Sequence, residues 1–286
     1  MALTDDLRNY IAHHSDTKTK ITQKHNVAIV GEQHAPIGSG DTVAIRTNTS
    51  SRLILELLCD TRYRYFASEH FMNSGQVRVG LRKFLRDATL PPTLDPTTVN
   101  FDDPNLDMND VAKRVLLNRH QLILDFLRRH PHYVLSIGTL IGGSARDKLL
   151  AQNFLEEMTD RKLSSGVPGV LLLGAAHAAA VWDDQPTTRM ILEKHGYKCV
   201  SIRAMADFVN KDGVPDDLVV PLETPLDNIT QADFIRLTSL VDKTPITIPT
   251  DKPVAADQPS PFRRVTFGLN HKSVAEQFEY LVLQKA

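Results

Sequence analysis

Five short apolar runs rich in β-branched residues recur through the first two hundred residues: 26–31 (NVAIVG), 64–68 (RYFAS), 133–137 (YVLSI), 170–173 (VLLL) and 199–202 (CVSI). They are separated by longer stretches at 51–59, 76–87, 109–129, 145–160 and 187–194, whose apolar residues return every three or four positions. The first pattern is that of strands buried on both faces, and the second that of helices laying one apolar stripe on a sheet. Strands alternating with helices imply an α/β fold with a mostly parallel central sheet flanked by helices.

The pattern changes after Asp207. Half of the sixteen prolines fall between 214 and 262, and proline supplies no backbone N–H to a helix interior or a strand ladder. An α/β core over 1–206 and an irregular, proline-rich extension over 207–286 are therefore expected. The tail at 273–283, with Val274, Phe278 and Leu281 at helical spacing, is expected to close the extension as a helix packed on the core. The segment 91–107 is dense in turn residues and reads as a surface loop, and Gly38, Gly40 and Asp41 read as a flexible turn.

With 33 basic and 34 acidic residues the formal net charge is -1, which gives no field to attract nucleic acid or an anionic membrane. Residues 1–24 carry charged and histidine side chains where a secretory leader has its apolar core, and no apolar run approaches the roughly 18 residues of a membrane span. A cytoplasmic location, or export by a route without a cleavable signal, is expected. Cys59 and Cys199 each lie within an apolar segment and read as buried thiols.

In an open α/β sheet ligands gather beyond the carboxyl ends of the strands. The polar residues of interest stand there. The first strand runs into Gly31, Glu32, Gln33 and His34 (GEQH), the second into Glu69 and His70, and the fourth into the Gly174 to His177 turn (GAAH). Two imidazoles and two carboxylates are able to hold a divalent ion, or to form a carboxylate-oriented general base that activates water. Arg146 follows Gly142, Gly143 and Ser144 at a helix start, where a guanidinium beside backbone N–H groups suits a carboxylate, a phosphate or a developing oxyanion. The chain has no Gly-x-Ser-x-Gly elbow, His-Glu-x-x-His helix, phosphate loop or Gly-x-Gly-x-x-Gly fingerprint.

These residues resemble the superfamily of erythromycin esterases, ChaN-type haem-binding lipoproteins and TraB/Tiki proteins. GEQH is similar to the family's Gly-Glu-x-His turn, and Glu69 to its acidic residue at the end of the second strand. Arg52 stands where the esterase branch often has arginine. The segment 145–153 (ARDKLLAQN) is similar to the family's Arg-Asp-x-x-Met-Ala-x-Asn helix with Leu150 for Met, and GAAH to its second Gly-x-x-His. The likeness runs from Val27 to His177.

The resemblance implies a hydrolase of an ester, amide or related bond in a small molecule or peptide. His34 would be general base or metal ligand, with Glu32 and Glu69 orienting it or sharing the ion. His177 would be second ligand or acid–base partner and Arg146 the anion anchor, while Asp147, Asn153, Arg52 and His70 would support or bind substrate. The macrolide branch implies no tightly held metal and the Tiki branch a divalent ion such as manganese, cobalt or zinc, held by His34, His177, Glu32 and Glu69. A haem-binding role, a toxin or effector role and a catalytically silent scaffold are the other expectations; oligomeric state is not legible.

Overall fold

The computed structural model describes residues 6, 9–10, 13, 24–32, 53–54, 57–58, 63–73, 134–139, 141, 145–182, 185–206, 246–253, 258–264 and 272–284. Of these, His70, Met72, Met205, Ala206, Ile246, Thr247, Arg264, Leu283 and Gln284 are described by their backbone alone. Seven strands form one sheet: β1 Val27–Glu32, β2 Tyr65–Met72, β3 Val134–Gly138, β4 Gly169–Gly174, β5 Cys199–Ala206, β6 Ile246–Pro249 and β7 Tyr280–Gln284. Their order is β3-β2-β4-β1-β5-β7-β6, and every pairing is parallel except that of β6 with β7. All five expected strands are present, and the protein is an α/β protein.

Continuous apolar strands make sense because both faces are covered. On one face Val27, Ile29, Tyr65, Ala67, Leu135, Leu171 and Leu173 meet helix α1, Ala145–Asp160, through Leu150, Ala151, Phe154 and Met158. The spacing of those four positions gives one apolar stripe. Phe154 closes the layer, 5.7 Å from the Tyr65 ring and 5.3 Å from Tyr197. On the other face Ala28, Val30, Phe66 and Leu172 pack in a cluster with Leu53, Ile54, Leu57 and Leu58, which are helical as the 51–59 pattern predicts. The expected helices at 76–87 and 109–129 and the 91–107 loop lie outside the described residues.

The tail departs from expectation. Only Val274–Gln277 is helical (α4), closed at its start by a capping box in which Ser273 and Glu276 satisfy each other's backbone N–H groups. Phe278 is already extended, and Tyr280–Gln284 enters the sheet between β5 and β6. The reason is visible in the side chains: Leu281 joins one core face while Tyr280 and Val282 join the other, an alternation that a helix cannot satisfy. Proline is tolerated in β6 because among the described strands it is the last of the sheet, paired with β7 alone, and Pro249 stands at its end. The segment beyond 206 thus gives two strands to the same sheet instead of docking on it as a helix.

Just before β7, Glu279 continues the ladder by unusual means. Its own N–H donates to the Ser201 carbonyl at 3.0 Å, while its carboxylate accepts the Ser201 N–H at 2.8 Å and an Arg189 N–H at 2.7 Å. Burial works against the Arg189 charge, but Glu279 and then Glu193 outweigh it and hold the guanidinium pKa above its ordinary value. Arg189 belongs to α3, Thr188–Lys194, so the pair ties that helix to the seat of β7.

Burial pushes the Cys199 thiol up to about 12, helped by nearby Glu193, and the Tyr10 hydroxyl likewise to about 12. The Tyr10 hydroxyl also donates to the Pro249 carbonyl at 2.8 Å. Both groups are neutral acids whose folded pKa lies above the unfolded one, about 8.5 for Cys and about 10 for Tyr. Their contribution is therefore complete below about pH 8.5 and is lost as pH climbs toward 12. The urea midpoint is expected to fall steadily above about pH 9. Peptide mapping after iodoacetamide treatment at pH 8 should find Cys199 modified only in unfolded protein; labelling in the native state would contradict its burial.

Candidate active site

The polar side chains collect where β1, β2 and β4 end. Glu32 is the last residue of β1 and pairs in register with Gly174, the last residue of β4. On the far side of β4, the Glu69 carboxylate accepts the Gly174 N–H. Glu69 sits in an irregular stretch of β2: the register with β3 runs Ser68 to Ser136, then jumps to Met72 opposite Gly138. Such bulges re-aim a side chain at a sheet edge. A Cβ on Gly138 would collide with the Glu69 carbonyl, so glycine at that position lets the bulge lie flat on β3.

Helix α1 supplies two consecutive ionic residues to this edge. Arg146 donates to the other Glu69 oxygen at 2.9 Å, and the Glu69 side chain has no solvent exposure against 24% for Arg146. Asp147 accepts from His177 Nδ1 at 2.8 Å with one oxygen. Its other oxygen accepts the Thr188 backbone N–H at 2.7 Å and the Thr188 hydroxyl at 2.6 Å. An ionised carboxylate only accepts, so Nδ1–H is the donor of this contact and Nε2 is the ring nitrogen turned away from Asp147. His177 is 20% exposed and Asp147 15%, so the pair is largely but not wholly withdrawn from solvent.

Gly31 of the first Gly-x-x-His motif lies against the helix that carries the second. His177 lies on the short helix α2, Ala175–Ala178, and a Cβ on Gly31 would stand 2.9 Å from the Ala178 Cβ and 3.2 Å from the Ala175 Cα. Glycine in the first motif is what lets the helix of the second settle on β1. Strand alternation then puts Glu32 on the opposite face from Gly31, with Val30 and Ala28 two and four positions earlier.

Of the residues singled out in the sequence, the structure joins Glu69 with Arg146 and His177 with Asp147. Asn153 braces α1 by donating to the Ile137 carbonyl at 2.9 Å, at the end of β3. Glu32 is buried beside Gly174. The His70 backbone lies in β2, and His34, Arg52 and the 38–41 turn lie outside the described residues. Thr188 escaped notice, because a threonine at a helix start is unremarkable until its partner is known. Among the described residues no three His, Cys, Asp or Glu side chains are arranged to hold a metal ion. Of the four expected ligands, Glu69 commits both oxygens to Arg146 and Gly174, a poor fit to an open metal position. Among the described residues no helix is long and apolar enough to cross a membrane.

No protein-family model matches the chain, and no curated protein matches it. Among solved structures it is similar to a protein from Bacillus cereus whose crystal structure is known, with a TM-score of 0.50 and 9% sequence identity over 100% of this chain and 98% of the other. At that identity the likeness is one of fold alone.

Proposed function

We propose that the protein is a hydrolase of an ester, amide or related acyl bond, with the Asp147–His177 pair as its general base. The observation that carries this reading is the 2.8 Å contact between Asp147 and His177 Nδ1, with the far carboxylate oxygen fixed by two Thr188 donors. A base oriented in this way takes a proton from water at Nε2 as the water oxygen attacks the carbonyl carbon, and returns it to the leaving group. Arg146, oriented by Glu69 at the same sheet edge, would stabilise the negative charge that grows on a carbonyl oxygen. The resemblance to the erythromycin esterase superfamily supports the hydrolase class and an acid–base role for His177, although it assigns the base to His34; the packing of Gly31 against the helix that carries His177 is in keeping with it. The commitment of Glu69 to Arg146 and Gly174 favours water activation that relies on the dyad in preference to a metal held by the four expected ligands.

The test is a panel of acyl esters, lactones and peptides assayed with and without a chelator, comparing wild type with His177→Ala. Turnover that survives chelation and disappears in the folded variant is expected. Equal turnover in the two proteins would reject His177 as base, and turnover abolished by chelator alone would move the reading to a metal.

A further inference from the structure

The contact that immobilises Asp147 comes from a residue outside the two Gly-x-x-His turns and the 145–153 segment. We propose that Thr188 is a positioning residue of the site, acting through Asp147 to set the tautomer and direction of the His177 ring; this rests on the hydrolase reading above. Thr188 is fully buried and presents two donors to a single oxygen of Asp147, its hydroxyl at 2.6 Å and its backbone N–H at 2.7 Å. With that oxygen occupied, the carboxylate has one oxygen left for His177 Nδ1, at 2.8 Å.

A purely structural account of Thr188 does not explain its hydroxyl. The cap of α3 is Thr187, whose side chain accepts the Met190 N–H at 3.3 Å. Helix initiation therefore makes no demand on the Thr188 side chain, while its N–H, in the first turn, has no acceptor within the helix. Both donors of Thr188 serve Asp147. The two neighbouring threonines have divided the work: one starts the helix and the other anchors the carboxylate. Without the hydroxyl the carboxylate keeps one donor and gains freedom to swing, and the imidazole loses its fixed partner.

The measurement is proton NMR of the His177 Nδ1–H. Wild type should show a downfield, slowly exchanging resonance, assigned by its loss in His177→Ala. Thr188→Val should broaden or abolish it, Thr188→Ser should keep it, and Thr187→Ala should lower the melting temperature while leaving it in place. Should Thr188→Val fail to fold, Thr188→Ala takes its place with the same readout. Where turnover is measured, kcat should fall about tenfold or more in Thr188→Val with KM little changed, and recover in the serine variant. A resonance unaltered by loss of the hydroxyl, or absent from wild type, would overturn the proposal. Because the resonance does not depend on turnover, the hydrolase reading can fail by itself in the activity assay without deciding this one.

Discussion

Asp147→Asn should lower turnover by about 10²–10⁴-fold with the fold intact. The size of the effect follows from the hydrogen bonds. Both Thr188 donors need an acceptor, so the carboxamide oxygen takes the position that they hold, and the NH₂ group is turned toward His177. An N–H facing Nδ1 forces the imidazole proton onto Nε2, the nitrogen that in the proposed mechanism accepts a proton from water. The substitution keeps shape and volume and inverts the tautomer. Steady-state kinetics with a circular dichroism spectrum settles the matter: a folded variant within tenfold of wild type would mean that Asp147 does not orient the base.

Arg146→Met should be the most destabilising single change at the site, by about 3–5 kcal/mol in urea unfolding, because it takes the cation from a carboxylate that cannot reach water. The Glu69 side chain is wholly buried, whereas Arg146 keeps 24% exposure and has a route to solvent. Glu69→Gln is expected to cost less, about 1–2 kcal/mol, since an amide oxygen can still accept the Gly174 N–H and the orphaned guanidinium can be hydrated. The order of the two variants carries the argument. If Glu69→Gln proved the more damaging, the pair would owe its stability to the carboxylate's other contacts and not to Arg146.

How much of this was legible beforehand depended on whether a residue's role lay in its own neighbourhood. Buried parallel strands are short apolar runs, so β1 to β5 could be read directly from their composition. The stretch from Phe278 to Leu283 is apolar at helical and at strand spacing alike, and only its seat between β5 and β6 decides between them. In β6 the proline that argued against a strand is tolerated because the strand is at an edge. That Glu69, Arg146 and His177 stand at one edge of the sheet could be read ahead, because each follows a strand or opens a helix in the sequence. Which carboxylate serves which cation was not: Glu69 and Arg146 are 77 positions apart, Asp147 and His177 are 30 apart, and only the bulge in β2 and the seating of α2 on Gly31 bring each pair together.

The seat of β7 also bears on how the chain is made. Of the seven strands among the described residues it is the last to leave the ribosome, yet it lies inside the sheet, and among those strands β6 pairs only with β7. Among the described strands, β5 therefore has no partner on its β7 side until Tyr280–Gln284 has emerged, and an unpaired edge invites pairing with the wrong neighbour. Any delay before β7 arrives prolongs that exposure.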